Sequence, residues 1–590
     1  MKSFFKTLLA SILGVIIGSF IMFFLMLMVV GAIVSSTGEQ PYEVKAGSVL
    51  HLKFDKSIVD RASKNPFEGF SPFSMKPEKN MGLNDILANI KKAKADENIK
   101  GIYLDLDIIP AGFATVEEIR NALIDFKTSG KFIVSYSDVY SQKGYYLASV
   151  SDKVYLNPEG ELELLGLRSE VMFFKGALDK LGIEPQILRH GKFKSAVEPF
   201  MLDKMSPENR EQQLTYMGSI WNQVAKGIAA ERKLTVDAIN AMANNLTIRN
   251  AKSAVENGLV DSLFYKDQLV NQLCKLSGAA KESDLKMVSY SDYLNSPEPK
   301  SDKKFTKDKI AVIYASGEIG MGDGSNSSIG SDGLSKSIAE ARKDSSVKAI
   351  VLRVNSPGGS ALASEIIWRE LVLAQKVKPL VVSMGDVAAS GGYYISAPAD
   401  VIVASPTTIT GSIGVFGLMF NAQKAMNEKL GVTVDVAKTH AHSDMLTVYR
   451  PLSAEERNVL QNGVEDIYKT FVNRVSTGRK LAETKVDSIG GGRVWSGENA
   501  MGIGLVDKFG GLSEAIKIAA ERAKIDNYRL LELPKQKEAF EALMEDFGGQ
   551  AKMWIMKDEL GDAFKHYNYL KGMLQQGGVV ARMPYDVEIY

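Results

Sequence analysis

Two kinds of apolar pattern divide the chain. From Leu8 to Val34 there is no charged residue. A helix of that length crosses the roughly 30 Å hydrocarbon core of a bilayer with some tilt. Lys2 and Lys6 precede the run, and Glu39 is the first charge after it. That asymmetry puts the short N-terminus in the cytoplasm and everything after Ser35 on the far side of the membrane. A cleaved signal peptide is the competing reading, but its apolar core runs only about 7–15 residues. A retained single-pass anchor, residues 1–38, is therefore expected. Gly14 and Gly18 within it form a G-x-x-x-G pair, read either as a helix-packing face or as chance.

Beyond the anchor the pattern changes. Short apolar runs alternate with helical periodicity. In the second half, a strand over Ile310–Tyr314 precedes a helix with apolar positions at Leu334, Ile338 and Ala341. A strand over Ala349–Val354, a helix over Ser360–Ala374 and a strand over Leu380–Met384 follow. A turn of small residues then enters a helical stretch, Tyr393–Ala397. Strands of this length alternating with helices predict βαβ units, an α/β fold and mostly parallel sheets. Sites in such sheets form at the carboxyl ends of the strands.

The first half repeats the second. Ile133–Pro158 (IVSYSDVYSQKGYYLASVSDKVYLNP) aligns without a gap to Val381–Pro406 (VVSMGDVAASGGYYISAPADVIVASP), at an offset of 248 with nine identities in 26 positions. The same offset pairs Ile99–Leu106 with Val347–Val354, and Gly258–Asp261 matches Gly504–Asp507 with slight drift. A duplicated domain accounts for this. The expected divisions are a first repeat over 39–288, a Ser-, Pro- and Asp-rich linker over 289–308, a second repeat over 309–535 and a helical extension over 536–590. In that extension Lys552–Leu574, with Trp554, Met556, Leu560, Phe564 and Leu570, reads as a packing helix.

Composition narrows the chemistry. Lys plus Arg (71) balances Asp plus Glu (70) across 590 residues, so there is no basic excess of the kind nucleic-acid binders carry. One cysteine, Cys274, excludes intramolecular disulfides and Cys-rich zinc sites, and five histidines give no metal motif. Cys274 falls in an apolar-periodic run and reads as buried and inert.

The copies differ where chemistry would sit. Strand Leu380–Met384 runs into Gly385-Asp-Val-Ala-Ala-Ser390-Gly-Gly392, where small neighbours allow a sharp turn and close approach to the Ser390 hydroxyl. A nucleophile and a helix N-cap are both open readings. The first copy has Gln142 at the equivalent position, followed by Lys143. Loss of the hydroxyl there favours a function kept in one copy. Likewise Asn355-Ser-Pro-Gly-Gly359 offers successive backbone N–H groups, an oxyanion-hole arrangement, whereas the first copy has Pro110 and Ala111. None of the histidines lies in a catalytic motif. Lys194, within Arg189–Phe200, serves as a base only if burial lowers its pKa; a solvated surface lysine is the alternative.

Together these residues resemble the long form of bacterial signal peptide peptidase A, the protease IV family of the ClpP/crotonase-like superfamily. The resemblance rests on K-S-A-V-E-P-F (Lys194–Phe200), N-S-P-G-G (Asn355–Gly359), A-A-S-G-G-Y-Y (Ala388–Tyr394) and T-G-S-I-G (Thr410–Gly414). It implies two tandem ClpP/crotonase-like domains and a serine–lysine dyad peptidase, with Ser390 as nucleophile and Lys194 as base. Ser412 would hydrogen-bond the lysine, and Gly358 and Gly359 would donate to the oxyanion. The expected substrates are remnant signal peptides and other hydrophobic peptides. The implied setting is the extracytoplasmic face of the cytoplasmic membrane, as a homotetramer, with no cofactor, metal or nucleic acid. Two rivals remain at this stage. One is a crotonase-like acyl-CoA enzyme, against which an extracytoplasmic location argues; the other is an idle membrane-anchored scaffold.

Overall fold

The computed structural model describes residues 41–63, 80–298, 305–536 and 579–583, together with 4, 6, 7, 10–22 and 24. Residues 10–22 of the apolar N-terminal run are helical, and the rest of its length lies largely outside the described residues. Among the described residues no helix is long and apolar enough to cross a membrane. The expected helix over Lys552–Leu574 also lies outside them.

In the first half, β1 (Ser48–Lys53), α1 (Leu83–Ala95), β2 (Ile99–Asp105), α2 (Phe113–Lys127), β3 (Phe132–Tyr140), α3 (Gln142–Ala148) and β4 (Lys153–Leu162) alternate along the chain. There follow β5 (Glu184–Arg189), the long α4 (Pro207–Arg232), β6 (Ser262–Leu263), β7 (Met287–Ser289) and α5 (Tyr290–Leu294). Their six-stranded sheet runs β6-β4-β3-β2-β1-β7, and every pairing in it is parallel.

The second half repeats the plan. Its elements are β8 (Lys309–Ser316), β9 (Glu318–Gly320), α6 (Ser331–Lys343), β10 (Val347–Ser356), β11 (Gly358–Ser360), α7 (Ala361–Gln375), β12 (Leu380–Ala389) and α8 (Gly391–Ser396). After them come β13 (Ile409–Gly411), β14 (Phe416–Asn421), α9 (Ala454–Arg479), β15 (Val494–Ser496), β16 (Arg529–Leu533) and β17 (Val579–Arg582). The main sheet path is β15-β13-β12-β10-β8-β16, parallel apart from β13 with β15. Helices α2 and α7 begin 248 residues apart, as do strands β3 and β12.

Alternation explains how the central strands bury both faces. On β10, Ile350, Leu352 and Val354 share a core with Ile338 of α6 and Ile367 and Leu371 of α7. Ala349 and Val351 point the other way, onto Leu512, Ala515 and Ile518 of the helix Leu512–Ala523. Burial of each Ile or Leu contributes about 1.5–3 kcal/mol, so these two faces fix the register of the strand that leads to Gly358.

Three boundaries differ from the sequence reading. β12 runs on through Ala389, so the small residues before Ser390 are strand, not turn. The start of the expected linker is structured: Ser289 caps α5, Tyr293 is fully buried, and buried Lys92 donates to the Tyr293 carbonyl at 2.6 Å. The described part of the expected helical extension is a strand, β17. A third sheet crosses the two halves. In it β9, β11, β17, β14 and β5 follow one another, with two short strands beyond β9.

Candidate active site

Ser390 stands between the end of β12 and the start of α8 with φ 55° and ψ −115°. A non-glycine residue held there is strained by on the order of 1–3 kcal/mol and persists only where its surroundings over-determine it. Its N–H donates to the Gly411 carbonyl at 2.8 Å. Although it occupies the N-cap position of α8, its side chain caps nothing. A Cβ on Gly392 would come within 2.6 Å of the Ser356 carbonyl oxygen, which explains the glycine in this turn.

The first copy has turned the same corner to structural use. There Ser141, one residue earlier, caps α3 by accepting from the Gly144 N–H at 3.2 Å. The Gln142 side chain accepts from the N–H groups of Leu165 and Gly166, both at 2.8 Å. Lys143 donates to the carbonyl of Ala111, the counterpart of Gly359, at 2.9 Å.

Lys194 reaches Ser390 because β5 of the first half pairs antiparallel with β14 of the second, Arg189 opposite Phe416. Past β5 the backbone turns at Gly191 (φ 77°) and lies against Gly491 and Gly492. The Phe193 N–H donates to the Gly491 carbonyl at 3.2 Å. Gln212 of α4 donates to the Phe193 carbonyl (3.1 Å) and to Ser195 Oγ (2.9 Å), and accepts from the Val494 N–H (3.1 Å). Ala196, Val197, Phe200 and Phe416 form an apolar seat beside it. Glu198 anchors the loop by accepting from Ser206 and Asn209.

The Lys194 ammonium position is fully buried. Its Nζ lies 2.8 Å from Ser390 Oγ, 3.0 Å from Ser412 Oγ and 3.2 Å from the Ser412 carbonyl oxygen. Burial pushes the Lys194 pKa well below the ordinary lysine range. Ser412 is itself held at φ 49°, with its N–H donating to the Arg493 carbonyl at 2.7 Å. Ser390 Oγ is also 3.3 Å from the Gly414 carbonyl oxygen. Side chains from both halves thus converge in a buried site where the Lys194 amine faces the Ser390 and Ser412 hydroxyls.

The two expected oxyanion glycines are placed differently. Gly358 (φ 101°) faces the start of α8: a Cβ there would lie 2.7 Å from the Gly391 nitrogen. Its own N–H donates to Ser356 Oγ at 3.1 Å. Gly359 is in the ladder opposite Ile319 and Ala581. Gly391, which sequence reasoning passed over, opens α8, and its N–H has no acceptor within the helix. Gln212 and the glycine run Gly490–Gly492 were also missed; the run of three glycines was the visible signal.

The histidines are engaged elsewhere. His51 bonds Asp105, His190 bonds Glu465 and His442 bonds Glu456, while His440 lies in an exposed segment. His566 falls outside the described residues. Cys274 is buried and free.

The sequence of peptidase family S49 matches this chain twice, over residues 125–280 and 373–526. Protease 4 of Salmonella typhi is 37% identical over 87% of this chain and 84% of its own length. The chloroplastic serine protease SPPA of Arabidopsis thaliana is 33% identical over 92% of this chain and 78% of its own length. A putative signal peptide peptidase SppA of Enterococcus faecium is 36% identical over 34% of this chain and 59% of its own length. Matched in both repeats and along most of its length, the chain belongs to peptidase family S49 and is a serine peptidase.

Proposed function

We propose that this protein is a membrane-anchored endopeptidase that uses a Ser390–Lys194 dyad to degrade cleaved signal peptides and other hydrophobic peptides. The observation that carries the reading is the 2.8 Å separation of Lys194 Nζ from Ser390 Oγ in full burial. Neutral Lys194 takes the hydroxyl proton as Ser390 Oγ attacks a peptide carbonyl carbon. The developing oxyanion is met by the backbone N–H of Gly391, which α8 leaves without an acceptor. Lys194 returns the proton to the leaving nitrogen, then deprotonates the water that frees the acyl group from Ser390. Ser412 keeps the amine pointed at Ser390 throughout.

The charge-free run over Leu8–Val34 supports a single-pass anchor in the cytoplasmic membrane, with the peptidase on the extracytoplasmic side. Peptides released within the membrane are then near at hand, and the Enterococcus relative's name points to the same substrates. For the homotetramer, support comes from an exposed stretch in which Val432, Val434, Val436, Leu446 and Val448 leave apolar surface open to another copy.

The test is hydrolysis of a synthetic signal peptide by the full chain, beside Ser390→Ala and Lys194→Ala. Removing the base is expected to lower kcat/KM by about 10²–10⁴-fold, and removing the nucleophile by at least as much. Assembly should be unchanged. Full activity of Lys194→Ala refutes the dyad.

A further inference from the structure

We infer that Gln212 is a positioning residue for the Lys194 base, an inference that rests on the dyad proposed above. Gln212 lies on α4, in the first half, and is almost fully buried. Its amide nitrogen is 3.1 Å from the Phe193 carbonyl oxygen and 2.9 Å from Ser195 Oγ, so it holds the residue on each side of Lys194. Its amide oxygen accepts from the Val494 N–H of β15 at 3.1 Å. One planar group thus joins the backbone around the base to the second half. Its two ends are not interchangeable, because Val494 offers a donor and Phe193 an acceptor.

Both serines are reached through the strand that Gln212 grips. Val494 pairs with Gly411 across the β13–β15 ladder, and the Gly411 carbonyl accepts the Ser390 N–H at 2.8 Å. The carbonyl of Arg493, the residue before Val494, accepts the Ser412 N–H at 2.7 Å. The path from the base to the nucleophile therefore runs Phe193, Gln212, Val494, Gly411, Ser390, bonded at each crossing. Asn209 Oδ1 lies 3.3 Å from the Gln212 nitrogen, and Asn209 donates to Glu198 at 2.9 Å, which steadies the amide from behind. The second copy supplies a comparison. Helices α4 and α9 are each 26 residues long, and position by position Gln212 answers to Val459, which is exposed. The copy that contributes no lysine has no amide there; a side chain needed only for the fold of a repeat would be wanted in both.

Loss of the amide frees the loop on both sides of Lys194, and the amine moves off Ser390 and gains water. Its charged form is then favoured, since burial is what lowers its pKa. The charged groups on the elements packed around the loop are engaged elsewhere. Glu198 accepts from Ser206 and Asn209, Arg493 pairs with Glu211 at 2.8 Å, and His190 bonds Glu465. Rate and titration of the base therefore change together when Gln212 is replaced.

Steady-state hydrolysis of a synthetic signal peptide by the full chain across pH, with folded protein measured by circular dichroism, tests this. Gln212→Met, which keeps the length and removes the amide, is expected to lower kcat per folded chain by about 10²-fold with KM unchanged, as a misplacement of about 1 Å does. The acid limb of its kcat/KM profile should move to higher pH. Gln212→Glu still accepts from Val494 but has no proton for Phe193; it should show the same two changes, and it decides the matter where the methionine variant does not fold. Ser219→Ala removes a bond from the same helix to Ser496 of β15, at 2.7 Å, and is expected to keep the wild-type kcat and acid limb. A Gln212 variant that melts lower but keeps wild-type kcat per folded chain and an unmoved acid limb has lost a structural amide only, which overturns the inference. Equal changes in Ser219→Ala overturn it too. Activity that survives Lys194→Ala overturns the dyad and this inference together, whereas activity lost in Lys194→Ala but kept in Gln212→Met overturns this inference alone.

Discussion

Lys194 suits the part of base in the proposed dyad because burial disfavours its charged form. Burial is the cause of its lowered pKa, and its neighbours at Nζ are a pair of hydroxyls and a carbonyl. The sign follows for both rate and stability. The proposed reaction needs the neutral amine, so activity is expected above the folded-state pKa and should fall as pH drops through it. In the unfolded chain the amine stays protonated up to about pH 10.4, so between the folded value and that pH unfolding takes up a proton. Stability linked to this group therefore rises with pH between the folded and unfolded values. Lys194→Met, which keeps the length and removes the titration, is expected to melt higher than wild type at neutral pH. The gap should close above about pH 10.4. Thermal melts across pH check this; a variant less stable than wild type at every pH would count against a neutral buried amine.

At the scale of elements, the lysine is aimed by backbone against backbone. A Cβ on Gly492 would lie 2.6 Å from the Lys194 Cα, and the glycine's φ of 87° resists a side chain as well. Gly492→Ala is therefore expected to push the Lys194 segment away from Ser390. A misplacement of about 1 Å costs on the order of 10²-fold in rate, to be read in kcat with the fold intact by circular dichroism. Much of this layer was legible in advance. The 248-residue offset marked corresponding strands and helices, and the strands around β10 and β12 were read in place though two to five residues short at their carboxyl ends. The shortfall has a cause: Asn355 and the run Gly385–Ala389 carry turn composition, yet the strands resume pairing past an irregularity, Ser356 with Ala388 and Val387–Ala389 with Ile409–Gly411. Strand β17 was not legible. Four residues carry no periodicity, and their partners lie more than 150 residues back along the chain. Nor does sequence show that Ser390 sits at positive φ, or that the first copy moved its cap to Ser141.

Across the whole molecule, the halves are locked by ion pairs as well as by the shared sheet. Arg353 of β10 is fully buried, with Nε 2.7 Å from Asp60 and Nη2 2.7 Å from Glu118, both in the first half. It also donates to Ser383 Oγ at 2.9 Å, tying β10 to β12. Asp386, on the strand that leads to Ser390, accepts from the N–H and hydroxyl of Thr115 at 2.9 and 2.6 Å. Removing one partner of a buried pair costs about 3–5 kcal/mol because the remaining charge is stranded. Arg353→Met is expected to lose that much, seen as a lower urea midpoint of the full chain; an unchanged midpoint would show that the halves are held by packing alone.

The corner occupied by Ser141, Gln142 and Lys143 has a consequence. Under the proposed dyad, Ser390 belongs to one copy and Lys194 to the other, so neither copy holds both groups. On that reading, deletion of either repeat is expected to abolish peptidase activity. The duplication has then become a mutual dependence: each half is useless to catalysis without the other.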